Sequence, residues 1–327
     1  MQEDMLQERV DNVAPDYYAV VIANPTAGSF SQQRPKLDET LNNLRQQGWK
    51  VDLKLTEAAG DASVLARKAV EQGANVVISV GGDGTINEVI QELAGSETAL
   101  GVLPGGTVNV WAREVGIPLE YTGACKVLLH GQTRRIDLGS VNGRYFLLMA
   151  GVGLDGEVAH AMQTNKKSIK RLGYLGYLLL GTWMGLGYPS FNARLHMNKR
   201  SVRVRALQIT VGNTQLYGGT VKFTWQAKCD DGLLDVCVVR KRSMLGRVVV
   251  FWDFLFRRKE RRQWVRYETC RSIEVHARDP LPIQLDGDAA GYTPATFTVV
   301  PGALKVIVPE HIATEGLFSK EPVTASA

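Results

Sequence analysis

Residues 75–93, NVVISVGGDGTINEVIQEL, decide how the rest of the chain is read. Residues 76–80 form a short apolar, β-branched run of the kind a buried parallel strand shows, and it breaks at Gly81-Gly82-Asp83-Gly84 before a helical pattern starts. The spacing predicts strand, glycine turn, helix. Thr85 and Glu88 stand at capping-box distance, which places the helix start at the turn, with Thr85 accepting a first-turn amide and Glu88 reaching back. Free amides and the helix dipole favour an anion there, and glycines let backbone approach it closely, so the turn is expected to cradle phosphate. Asp83 would repel bare phosphate. Its presence is explained if it works through Mg²⁺ or through a network that holds the turn. The bland alternative is a tight strand-to-helix connection without a ligand. No G-x-x-x-x-G-K-[ST] occurs, and the turn does not fit a G-x-G-x-x-G fingerprint with its acidic ribose ligand.

The same pattern extends to both sides. Residues 17–23 read as a strand ending in the turn cluster Asn24-Pro25-Thr26-Ala27-Gly28-Ser29, residues 31–47 as a helix closed by Gly48, and residues 51–56 as a second strand. Asp61 is expected to N-cap a helix that Gly73 stops. After the central element, residues 99–103 give a further strand, followed by a second glycine turn, Pro104-Gly105-Gly106-Thr107, and a helix near residues 121–129. In doubly wound sheets, ligands bind outside the carboxyl ends of the strands, so both glycine turns and residues 24–29 are expected to face one crevice.

Beyond this the texture becomes β-rich. Residues 135–141 and 144–150 flank Asn142-Gly143, a strong hairpin signal, and residues 203–212, 219–226, 233–240, 272–276, 283–286, 296–301 and 303–308 are further strand candidates. Two stretches interrupt them. Residues 166–187 carry leucines at helical spacing behind a basic start, and residues 240–266 set an apolar, aromatic block between RKR and RRKERR. The second pattern suits an anionic bilayer surface as well as a core helix with a solvated end.

A chain of 327 residues with net charge +5 is long enough for two cores. Residues 240–271 hold eleven Lys or Arg against three acids, a net +8, so the basic character belongs to one patch. Four cysteines without C-x-x-C spacing suggest neither disulfides nor zinc and fit a reducing cytoplasm, and the five histidines form no ligand pair. Residues 1–16 are polar and acidic and do not read as a signal peptide.

Taken in order, NPTAG (residues 24–28), GGDGTINEV (81–89), LPGGTVNVWAREVGIP (103–118), CDDGLLDV (229–236) and QLDGD (284–288) resemble the bacterial diacylglycerol kinase family, which includes sphingosine and ceramide kinases. The resemblance implies an α/β fold: an N-terminal doubly wound, NAD kinase-like nucleotide-binding domain at 17–137, to which a tail at 309–327 returns, plus a C-terminal antiparallel β-sandwich at 138–308 that takes the lipid. It implies ATP binding by Asn24, Pro25, Thr26, Ala27, Gly28, Thr56, Gly81, Gly82, Asp83, Gly84, Thr85, Ile86, Asn87 and Thr107. Asp83 and Asp137 would join the network around a catalytic Mg²⁺, and Asp231, with main-chain oxygens of Lys228 and Leu233, would bind a structural Mg²⁺. The family's Asp-Gly-Glu, whose acid is the base, corresponds to Asp286-Gly287-Asp288, with Asp288 preferred and Asp286 the alternative. Asp155-Gly156-Glu157 does not match the base. Val110 stands where many relatives have Asp after G-T-x-N.

These matches imply an ATP-dependent, Mg²⁺-requiring kinase of diacylglycerol or a related lipid such as a sphingoid base. It would act as a cytoplasmic enzyme, peripheral at the inner membrane face, in contact with an anionic membrane surface. Nucleic acid is not an expected partner, because the basic run lacks interleaved stacking aromatics. A soluble acceptor, as in NAD kinase, a non-catalytic nucleotide and lipid sensor, and a homodimeric assembly are left open.

Overall fold

The computed structural model describes residues 17–28, 30–164, 185, 187–219, 221–240, 243, 246 and 265–319. The expected basic and apolar stretches at 166–187 and 240–266 lie almost wholly outside these.

Strands β1 (Tyr18–Ala23), β2 (Lys50–Leu55), β3 (Val76–Gly81) and β4 (Ala99–Pro104) pair in parallel in the order β2-β1-β3-β4. Every residue of β3 and β4 is buried, as befits parallel strands covered on both faces. Helices α1 (Phe30–Gln46) and α5 (Tyr121–His130) pack together, as do α2 (Asp61–Glu71) and α3 (Asp83–Leu93). The short α4 (Val110–Val115) follows the second glycine turn. The turns after β1, β3 and β4 therefore share the carboxyl edge of the sheet.

Two N-terminal caps differ from the sequence reading. α3 starts at Asp83, with Gly82 as its cap, and the Gly82 carbonyl accepts the Thr85 and Ile86 amides at 3.0 and 3.2 Å. The Thr85–Glu88 box does not form, because the earlier start puts Glu88 in the second turn. There it crosses to α2 and accepts the Ala62 amide at 3.1 Å. Asp61 lies inside α2, capped by Gly60, and its carboxylate instead ties down the Glu57 and Ala58 amides at 2.8 and 2.7 Å.

The second half contains β5 (Gln132–Val141), β6 (Arg144–Phe146), β7 (Met149–Gly153), α6 (Leu154–Thr164), β8 (Phe191–Met197), β9 (Arg200–Gly212), β10 (Leu216–Tyr217), β11 (Val221–Lys222), β12 (Leu234–Arg240), β13 (Val265–Cys270), β14 (Ser272–Ala277), β15 (Pro282–Leu285), β16 (Asp288–Tyr292) and β17 (Ala295–Val308). Its antiparallel ladder runs β16-β15-β7-β9-β8-β14-β17, with β12 joined to β9 and β13 joined to β12. The fold is α/β followed by a β-sandwich.

Asn142 and Gly143 both have positive φ, giving the predicted tight hairpin. The strand expected at 144–150 splits, since β6 pairs with β5 while β7 turns to β9 and β15. The strand expected at 219–226 shrinks to β11. Conversely, the strands expected at 296–301 and 303–308 form one strand, β17. It pairs with β5 along both parts, with a register shift at Val300/Leu304, and also runs parallel to β4. Strands β8, β13 and β16 lie outside the predicted strands, although β8 alternates as FNARLHM between Pro189-Ser190 and the positive-φ turn Asn198-Lys199.

One buried cluster fills the α/β half and takes in Leu317 from the tail, while a second, around Phe146, Ile209, Ile283 and Phe297, fills the sandwich. The four cysteines are buried and free.

Candidate active site

The glycines of the three turns let the turns touch each other. A Cβ on Gly106 would sit 2.4 Å from Gly82 Cα, and one on Gly28, whose φ is +53°, would sit 2.4 Å from the Gly105 carbonyl oxygen. The Gly105 amide donates to Gly81 O at 2.8 Å. Asn24 shapes the first turn by accepting the Thr26 amide and hydroxyl at 2.9 and 2.8 Å. Asn109, at φ 52°, closes the third by bonding the Gly106 amide and carbonyl, both at 2.9 Å.

Asp83 spans two of the turns. Its carboxylate accepts the Val110 and Trp111 amides at 3.0 and 3.2 Å, capping α4 from a different element. Burial raises its pKa, opposed by those amides. The network reading of Asp83 thus has a structural counterpart: it locks the first turn of α4 to the GGDG turn.

Across from the turns, Asp286 and Gly287 have φ of 48° and 94° and form the tight link between β15 and β16. The Asp286 carboxylate accepts four bonds: Leu147 N at 2.8 Å and Asn87 Nδ2 at 3.0 Å on Oδ2, and Leu148 N and Met149 N at 2.9 Å on Oδ1. Burial pushes its pKa to about 6 against these donors. Asn87 belongs to α3, so this carboxylate joins the two halves. Asp288 follows the turn with its side chain half exposed, 3.7 Å from Arg144.

A cavity of about 580 Å³ lies between these parts. Thr26, Gly28, Asp83 and Thr107 line it from the α/β half, and Gln284, Asp286 and Gly287 from the sandwich. Apolar wall is supplied by Val110, Leu148, Met149, Met162 and Leu216. Of the residues expected at an ATP site, Asn24 and Gly81 to Asn87 shape the turns around this space. Thr56 stands buried at the end of β2, its amide on Ala23 O at 3.0 Å.

Sequence reading missed Glu114. It is fully buried on α4 and accepts the Gln215 and Leu216 amides at 2.7 and 3.0 Å, a second tie between the halves, and burial pushes its pKa to about 7. An acid inside VWAREV looks like a solvated helix residue. Only the tertiary placement of residues 214–216 reveals its partners.

None of Asp137, Lys228, Asp231 and Leu233 lines this cavity. They meet elsewhere: buried Asp137 accepts Gly232 N at 2.6 Å and Gly302 N at 2.7 Å, and its own amide donates to Cys229 O. Asp231 lies at the surface and accepts Leu233 N at 3.0 Å. Partial burial and then the charges of Asp137 and Asp230 raise its pKa, and burial followed by Asp231 pushes Asp235 to about 7. Among the described residues no three His, Cys, Asp or Glu side chains converge as a metal site. Both Asp137 oxygens are thus taken by amides, and of these residues Asp231, with main-chain oxygens of the loop, would be the one to offer a carboxylate to a hard cation.

Residues 18–141 match the model of the diacylglycerol kinase catalytic domain, and residues 149–308 that of the YegS C-terminal NAD kinase beta sandwich-like domain. Diacylglycerol kinases of Staphylococcus aureus strains bovine RF122 / ET3-1 and MRSA252 are 31% identical over 309 residues, covering 93% of this chain and 96% of theirs. Two Bacillus anthracis str. Sterne crystal structures, described as diacylglycerol kinases, superpose with TM-scores of 0.75 and 0.70 at 23% and 21% identity. Each covers 90% of this chain, and 98% and 97% of the respective neighbour. Among the described residues no helix is long and apolar enough to cross a membrane. The chain belongs to the diacylglycerol kinase family and is a phosphotransferase with an alcohol group as acceptor.

Proposed function

We propose that the protein is an ATP-dependent lipid kinase that transfers the γ-phosphoryl group to the hydroxyl of diacylglycerol or a related lipid such as a sphingoid base. The observation that carries this reading is one cavity onto which glycine turns open from one side and residues 284–287 with apolar neighbours open from the other, with Asp288 the next residue beyond that lining. The turns after β1, β3 and β4 would hold the triphosphate through backbone amides, while Leu148, Met149, Met162 and Leu216 offer an acyl chain a surface that sheds water.

Asp288 is the proposed base. A carboxylate has about four lone-pair positions, and those of Asp286 already receive four donors, so Asp286 has no capacity left for a substrate hydroxyl. Asp288 takes the proton of the acceptor hydroxyl as that oxygen bonds to the γ-phosphorus and the bridging oxygen of ADP leaves. Mg²⁺, when bound, would neutralise charge on the phosphates. Asp83 keeps two turns in register. The apolar Val110 beside it offers no hydrogen bond to a polar head group, so the acceptor is selected by its hydroxyl and chains.

The proposed setting is the cytoplasmic membrane face. The test is transfer of labelled γ-phosphate from ATP, with Mg²⁺ and anionic mixed micelles, to diacylglycerol, monoacylglycerol, ceramide, sphingosine and undecaprenol. A labelled lipid is expected. A folded, ATP-binding preparation that labels none of them, or only a soluble acceptor, would overturn the proposal.

A further inference from the structure

The stretch AGVGLDGEV, residues 150–158, offers an Asp-Gly-Glu that the reaction above does not use. Asp155 opens α6 and is buried, yet it is neither on the surface nor among the residues lining the cavity. Its Oδ2 accepts Gln284 Nε2 at 2.6 Å, and its Oδ1 accepts the Tyr217 hydroxyl. Gln284 is itself fully buried, and its Oε1 accepts the Gly287 amide at 2.6 Å. The backbone has been cleared for this arrangement. A Cβ on Gly151 would lie 2.0 Å from Asp155 Oδ2, and one on Gly156 would lie 2.2 Å from the Pro282 carbonyl oxygen, so α6 rests directly on β15.

We propose that Asp155 is a positioning residue for phosphoryl transfer: by fixing the side-chain amide of Gln284 it holds the Asp286-Gly287 turn and thereby sets where Asp288 stands. The role of Asp288 rests on the kinase reading; the hold on the turn does not. A buried carboxylate is costly unless its oxygens meet donors, so an apolar residue would serve packing better. What a carboxylate supplies is polarity, because it accepts and does not donate. Facing it, the Gln284 amide must present its NH₂, which turns its oxygen toward Gly287 N. That bond closes a turn whose Asp286 occupies the left-handed region, a conformation that persists only where surroundings impose it. Leu285 pairs with Asp288 directly beyond the turn. The same carboxylate holds Tyr217 on the cavity wall, next to the segment that Glu114 anchors.

The test exchanges the polarity of the pair. Gln284→Glu alone sets two carboxylates against each other, and Asp155→Asn alone replaces the acceptor-only group with an amide that no longer dictates which way the Gln284 amide faces. Together they restore one donor to one acceptor and still leave an oxygen for Gly287 N and one for the Tyr217 hydroxyl. Each single variant is expected to lower kcat by about tenfold to a hundredfold with KM for ATP within about twofold. Hydrogen–deuterium exchange of the peptide spanning 284–290 is expected to quicken in each. The double variant is expected to recover both properties. Single variants that lose Tm but keep kcat, an unchanged exchange rate, or a double variant that recovers neither would overturn the proposal. If the wild type labels no lipid while exchange still follows the swap, the kinase reading fails and the hold on the turn stands.

Discussion

Asp286 and Asp288, two positions apart, occupy opposite situations: one has its lone pairs filled by main-chain and Asn87 donors, the other is half exposed. Removing Asp286 strands three amides and an α3 side chain. Asp286→Ala is therefore expected to cost on the order of 2 to 4 kcal/mol, read as a lower midpoint in urea. Asp288→Ala should leave that midpoint within about 0.5 kcal/mol of wild type while lowering kcat at least about a hundredfold. The reverse pattern would exchange the two roles. The glycines separate as cleanly. Gly106→Ala forces a Cβ onto the Gly82 backbone and is expected to lower both stability and ATP affinity, whereas Gly84→Ala meets open space and is expected to be near neutral. Thermal melts with and without ATP distinguish them.

At the scale of elements, β5 and β17 matter most, because each runs through both halves as one antiparallel ladder. The 137/138 boundary expected from sequence falls inside β5, where composition changes but hydrogen bonding does not. Where β17 shifts register, Gly302 donates to Asp137, which also holds the 228–233 loop. Burial first, and then neighbouring acids, raise the pKa values of Asp231 and of Asp235 beside the loop, so a cation held there would favour their charged forms and stabilise the fold. Mg²⁺ at millimolar concentration is expected to raise Tm of the wild type and not that of Asp231→Ala. Equal shifts in both would place the ion elsewhere.

For the whole molecule, Glu114 and Asp286 tie the two halves together, and both are acids whose pKa values burial has raised. Glu114 moves from an ordinary 4.5 to about 7. Between those values the folded chain keeps a proton that the unfolded chain has lost, so this contribution is fully present below about pH 4.5 and is lost as pH rises through about 7. Wild-type stability should therefore fall more steeply between about pH 5 and 8 than that of Glu114→Gln. Parallel urea-unfolding curves across that range would refute the assignment. The alternation of strands, glycine turns and helices up to residue 130 was legible because local chemistry sets it: β-branched runs, glycine breaks and apolar spacing act within a few residues. The order of motifs likewise marked the turns and the Asp286-Gly287-Asp288 hairpin. What only the tertiary structure decided is which partners those residues meet. The glycines lie against other glycines far along the chain, Glu88 faces α2 rather than its own cap, and Asp286 is saturated by residues 147–149 and Asn87. Glu114 and Asp155 looked ordinary because a carboxylate's role depends on the amides and side-chain donors that folding brings to it, and those lie from 62 to 129 positions away in sequence.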